Sequence, residues 1–194
     1  GSYQQRIGYE YNINNLMGAT AVDGLSPDTT TIFDRMGSEG YTTGVIGKWH
    51  IGARANDNGL GNRPEHQGVD EFFGIWKGSR NYTIGSVTGS GELRETITSP
   101  FSDTVLETTA PWNTTDNYVT NAFGLGAVEF IDRHYADPDP FFLYVSFTAP
   151  HGPIGPSPDF DDPRLAPLSG QRKEYASMVP VSYTHLRAHE TATY

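Results

Sequence analysis

Cysteine is missing from all 194 residues, which excludes disulfides, a thiolate zinc site and a thiol nucleophile among them. Cations are scarce: 13 Lys and Arg stand against 23 Asp and Glu, for a formal net charge of -10. A chain so negative does not suit a nucleic-acid or anionic-membrane surface. It still admits an anionic substrate, because a few cations held in a pocket outweigh a distant negative surface. No apolar run approaches the length of a membrane span. No signal segment opens the sequence either, but Gly1-Ser2-Tyr3-Gln4-Gln5-Arg6 lacks an initiator Met, so that absence says little about destination. What is present is a globular composition, 36% hydrophobic and 19% charged, made loop-rich by 22 Gly and 13 Pro. The length suits one domain with a real core, and no internal repeat divides it.

Periodicity orders the chain. Residues 26–40 read as a helix capped by Ser26 or Asp28, with Ile32, Phe33 and Met36 as its stripe and Gly40 closing it. The β-branched residues of 42–46 predict a strand. Residues 53–68 are a polar, Gly/Asn-rich loop, and 69–74 form an aromatic element too short to assign. A long irregular insertion with a short hairpin is expected over 79–115. Residues 117–134 give the clearest helix: Val119, Ala122/Phe123, Gly126/Ala127 and Phe130/Ile131 recur at three- and four-residue steps on one buried face. Residues 141–147 are apolar on both faces, as a central strand of a helix-covered sheet requires. The order predicts a three-layer α/β/α sandwich with a mixed, mostly parallel sheet, strands 42–46 and 141–147 being joined through the helix.

Both strands run out into loops that carry basic side chains. One ends in Gly47-Lys48-Trp49-His50-Ile51-Gly52, the other in Thr148-Ala149-Pro150-His151-Gly152-Pro153. Open α/β sheets build their sites just beyond the carboxyl ends of such strands. A cation and two imidazoles converging there suit an oxyanion such as a sulfate or phosphate ester. On an extended backbone Lys48 and His50 point to one face and Trp49 to the other, into packing. The plain alternative is an exposed lysine and hydrogen-bonded strand-end and loop histidines without a task.

These residues also carry a resemblance. Gly47-Lys48-Trp49-His50-Ile51-Gly52, His66-Gln67-Gly68-Val69-Asp70-Glu71-Phe72-Phe73-Gly74, the strand that ends in Pro150-His151, and Lys173-Glu174-Tyr175-Ala176-Ser177-Met178-Val179 resemble, in one consistent order, the arylsulfatase-like sulfatases of the alkaline-phosphatase superfamily. The resemblance implies a sulfuric ester hydrolase. It assigns Lys48 to charge on an oxyanion, His50 to orienting or deprotonating the diol of a formylglycine nucleophile, and His151 to a sulfate oxygen or the leaving alcohol. Lys48, His151 and Ser79 would bind the substrate. The Cys/Ser-x-Pro-x-Arg motif that is oxidised to formylglycine, and the ligands of a divalent metal, Ca²⁺ in kind, are placed by the resemblance outside this sequence. Residues 1–179 therefore read as the middle of a catalytic domain, inactive alone. The implied partners are a sulfated small molecule or glycan and a formylglycine-generating maturation enzyme, with neither nucleic acid nor membrane; the implied location is periplasmic or secreted. A phosphodiesterase or phosphonate monoester hydrolase of the same superfamily, and a non-catalytic binder of sulfated glycans, are the rival functions.

Other polar residues read more plainly. His66, Asp70 and Glu71 suit turn and packing roles, Asp161-Asp162 a solvated loop among prolines, and His134 a favourable charge at a helix end. Trp76 and Trp112 suit packing better than a sugar or aryl pocket, and the sequons at Asn81 and Asn113 suit chance. Residues 180–194 resemble translated sequencing-adaptor sequence and read as a non-native tail. His185 and His189 within it lack the H-E-x-x-H order of a zinc site.

Overall fold

A computed structural model describes residues 3–7, 25–26, 28–51, 63–75, 81–84, 94–95, 104–105 and 117–190. Helix α1 is Ile32–Ser38. It starts later than its sequence suggests because Thr31, rather than Ser26 or Asp28, supplies the cap. Thr31 Oγ1 accepts the Asp34 N–H at 3.2 Å, while the Asp34 carboxylate accepts the Thr31 N–H at 2.7 Å, a reciprocal box that satisfies two orphan donors.

Strand β1 is Thr42–Lys48, β2 is Glu71–Ile75, β3 and β4 are the two-residue strands Arg94–Glu95 and Thr104–Val105, α2 is Val119–His134 and β5 is Phe141–Ser146. The sheet order is β4-β3-β2-β1-β5. β1 pairs in parallel with β2 and with β5, so the expected strands are direct neighbours in one sheet. β3 and β4 continue the sheet antiparallel, as a short hairpin within the expected insertion.

Side-chain alternation along the central strands divides the core into two layers. Val45 and Phe72 pack with Phe33, Trp49 and Val69 on the α1 side. Ile46, Phe73 and Ile75 pack with Val119, Ala122 and Phe123 on the α2 side. Phe130 of α2 is accommodated beneath the sheet because Gly44 has no side chain; a Cβ there would stand 2.5 Å from the Phe130 ring. Register is pinned near the start of β1, where the Asp70 carboxylate accepts the Thr43 N–H at 2.8 Å and the Thr43 hydroxyl at 2.9 Å.

Helix α3, Gly170–Glu190, packs against α2. It runs across Pro180, which has no N–H to donate to the preceding turn. Met178 and Val181 are buried and Tyr183 is exposed.

Candidate active site

Because β1 and β5 are parallel neighbours, their carboxyl ends lie at the same edge of the sheet, and the two basic loops emerge side by side. Lys48 closes β1 opposite Ile75 of β2. It lies two residues beyond Ile46 and so shares its face, that of the α2-side core. Together with Ile75, Tyr82, Phe147, Tyr175 and the turn Thr148 to Gly152, Lys48 lines a cavity of about 370 Å³. Burial holds the Lys48 pKa below the usual 10.5. Among the described residues no carboxylate forms an ion pair with it. A cation left without a counter-ion in a half-enclosed cavity is disposed to take an anion from solution.

His151 lines the same cavity. Its N–H donates to Thr148 O at 2.9 Å, closing the turn, and the peptide bonds Ala149–Pro150 and Gly152–Pro153 on either side are cis. Its ring Nδ1 lies 2.7 Å from Gly152 O. A carbonyl oxygen only accepts, so Nδ1 carries the proton; in the neutral ring Nε2 is then the lone-pair nitrogen. The Tyr82 hydroxyl reaches Thr148 O at 2.9 Å and His151 O at 2.7 Å, and burial pushes its pKa up to about 12.

The structure thus brings Lys48 and His151 to one cavity. His50 is placed differently from the extended-strand expectation. β1 ends at Lys48, and His50 adopts a left-handed backbone with φ 51, so strict alternation stops before it. It is half-buried beside the site and is not among the residues that line the cavity. Trp49 does pack inward, with its ring 6.0 Å from Phe33. Ser79, Trp76 and Trp112 lie outside the described residues. Tyr82, Thr148 and Tyr175 are cavity residues that sequence reasoning missed. Tyr82 sits in a polar stretch without a period, and Tyr175 is one of two tyrosines on its helix.

Glu71, His134 and Asp162 have structural partners. Glu71 receives Arg133 Nη2 on one oxygen and His134 Nε2, at 2.9 Å, on the other. Asp162 caps the short 3₁₀ turn Pro163–Leu165 and holds Arg164. Among the described residues, no group of three or more His, Asp or Glu could hold a metal ion. The divalent ion implied by the resemblance is therefore not fitted by these residues.

The sulfatase family profile matches residues 2–179, nearly the whole chain. The chain belongs to the sulfatase family. It is similar to mouse arylsulfatase G, 27% identical over 179 residues that cover 84% of this chain and 33% of that protein. It is also similar to an arylsulfatase of Hemicentrotus pulcherrimus, 32% identical over 145 residues, covering 71% and 24% of the two chains. This sulfatase chain thus spans about a third or less of the length of these curated relatives. In fold it matches the crystal structure of Ps i-CgsB in complex with k-i-k-neocarrahexaose, with TM-score 0.72 and 24% identity over 95% of this chain and 40% of that one. PsFucS1 sulfatase from Pseudoalteromonas sp. matches with TM-score 0.62 and 20% identity, over 89% and 36%.

Proposed function

We propose that the full-length protein containing this chain is an arylsulfatase-like sulfuric ester hydrolase, and that Lys48, His50 and His151 are groups of its active site. The observation that carries the reading is that Lys48 and His151 line one cavity in a chain of the sulfatase family. The Lys48 ammonium, stripped of part of its water, holds a sulfate oxygen and counters the charge that grows in the transition state. His151 acts through Nε2: as imidazolium it donates a proton to the departing alcohol or phenol oxygen, which its Nδ1 bond to Gly152 O orients it to do. His50 is assigned to the attacking diol on the strength of the family motif. The nucleophile itself, a formylglycine, and a Ca²⁺-type ion belong to parts of the protein beyond these residues.

The substrate is a sulfated small molecule or sulfated glycan, with Tyr82, Tyr175 and Phe147 offering apolar walls to the group that carries the ester. Ser79 joins the substrate-binding set on sequence grounds alone. No helix among the described residues is long and apolar enough to cross a membrane; the periplasmic or secreted location and the maturation enzyme follow from the family reading. The domain assignment that accompanies it is 1–179 as catalytic domain and 180–194 as a non-native tail. The family match ending at residue 179 supports that boundary, while the burial of Val181 argues for moving it later.

The test is a panel of one aryl sulfate and the matching phosphate mono- and diesters, assayed on the matured full-length protein. Preference for the sulfate is expected. Preference for a phosphate ester identifies a phosphohydrolase of the same superfamily, and binding of a sulfated glycan without turnover identifies a non-catalytic member.

A further inference from the structure

The sulfatase reading names the groups that touch the ester but not what holds His151 in place. Every hydrogen bond that His151 makes among the described residues stays within its own loop, save one. Its N–H goes to Thr148 O and its Nδ1 to Gly152 O. The exception is its carbonyl, which accepts from Tyr82 at 2.7 Å. The same hydroxyl is 2.9 Å from Thr148 O, so a single phenol spans both ends of the turn that presents the imidazole.

Tyr82 is itself firmly set. Its ring stacks on Tyr118 at 5.4 Å between centroids and 16° between planes. Its carbonyl accepts the Val119 N–H at 2.7 Å, and Ile84 N–H donates to Asn117 O at 2.8 Å, which ties the 82–84 segment to the start of α2. Because α2 packs on the same sheet that carries Lys48, this chain of contacts ties the His151 turn to that sheet.

We infer that Tyr82 is a positioning residue: its hydroxyl fixes the Thr148 to His151 turn, and with it the imidazole, in the cavity that Lys48 also lines. This rests on the proposed sulfatase function for its kinetic consequence. With the hydroxyl removed, the turn keeps its internal bonds but loses its external anchor. A misplacement of an ångström in a group that acts in the transition state is costly, whereas ground-state binding through Lys48 survives.

The test uses the matured full-length protein and Tyr82→Phe, which keeps the ring and its stack on Tyr118 and deletes the hydroxyl alone. For an aryl sulfate we expect kcat to fall by about 10- to 100-fold while KM changes less than about threefold. In a His151→Ala background the same substitution should have little further effect, since its route of action is gone. Equal losses in the two backgrounds, or an unchanged kcat, overturn the inference. A second readout needs no turnover: the rate at which diethyl pyrocarbonate modifies His151, followed by peptide mass spectrometry, should change at least about threefold in Tyr82→Phe as the ring's surroundings shift. If the unsubstituted protein hydrolyses no sulfate ester, the sulfatase reading fails and the labelling rate alone decides the positioning role. A rate equal in both proteins then refutes it.

Discussion

Gly47 and Gly74 face each other across β1 and β2 so closely that a Cβ on Gly74 would stand 1.8 Å from the Gly47 carbonyl oxygen. On the other side of β1, a Cβ on Gly47 would stand 2.0 Å from Ser146 O. Gly47 also has φ 115, a conformation that side chains rarely adopt. The paired glycines of β1 and β2 therefore leave no room for a side chain one residue before Lys48. Gly47→Ala and Gly74→Ala are each expected to cost about 3 kcal/mol of stability. Urea denaturation of the full-length protein measures this, and a midpoint unchanged from the native protein would show that the strands separate easily.

Lys48→Ala and His151→Ala should each lower turnover of an aryl sulfate by roughly 10²-fold. The two are expected to differ in their dependence on the leaving group. Loss of His151 should cost least with an acidic nitrophenol, which departs without help, and most with an alkyl or sugar alcohol. A loss that does not vary with the alcohol would remove proton donation from the role of His151.

Inhibition by inorganic sulfate should weaken with alkaline pH sooner than an ordinary lysine would require. Burial lowers the Lys48 pKa from 10.5, so its charge, and with it the attraction for the anion, is lost below that pH. Inhibition constants measured from neutral pH upward check this, and Lys48→Ala should flatten the profile.

Burial alone would lower the His134 pKa, but its bonds and charges shared with Asp137 and Glu71 outweigh that and raise it above 6.5. A raised folded value means that the imidazolium's contribution is complete below the unfolded pKa of about 6.5 and is lost as pH rises through the folded one. Arg133 also holds Glu71. The Tm difference between the native protein and His134→Gln should therefore be largest in mild acid and shrink toward alkaline pH. A difference independent of pH would mean that the ring acts by packing on Phe130, 4.6 Å away, and not by charge.

The clearest elements in the sequence were those with a repeating signal. The apolar run of β5, the β-branched run of β1 and the three- and four-residue steps of α2 each have enough repeats to identify themselves. β2 has five residues and aromatic neighbours on both faces, so its pattern is too short to separate from a turn. The start of α1 was misread because Ser26, Asp28 and Thr31 are all capable caps. The choice among them rests on Asp34 returning the hydrogen bond, which only Thr31 has at the right spacing. Parallel strands bring their carboxyl ends together, which is why Lys48 and His151 line one cavity. His50 departs from its expected geometry because alternation holds only while the strand lasts. Tyr82 and the Glu71–His134 pair depend on contacts between segments more than sixty residues apart, and no local pattern encodes those.

β5 has a hydrogen-bonding side that the described strands leave open, since it lies at the end of their order. Thr42 N–H donates to Pro140 O, so the amides of Phe142, Tyr144 and Ser146 face β1 and those of Phe141, Leu143 and Val145 face away. The strand is consequently its own gauge of isotope exchange. In deuterated water the first set should be slow whatever surrounds the domain, because β1 holds it. The second set exchanges at a rate set by whatever lies beyond the edge: fast against solvent, slow against another strand. Comparing the two sets in one spectrum separates what this chain supplies to the sheet from what the rest of the protein adds.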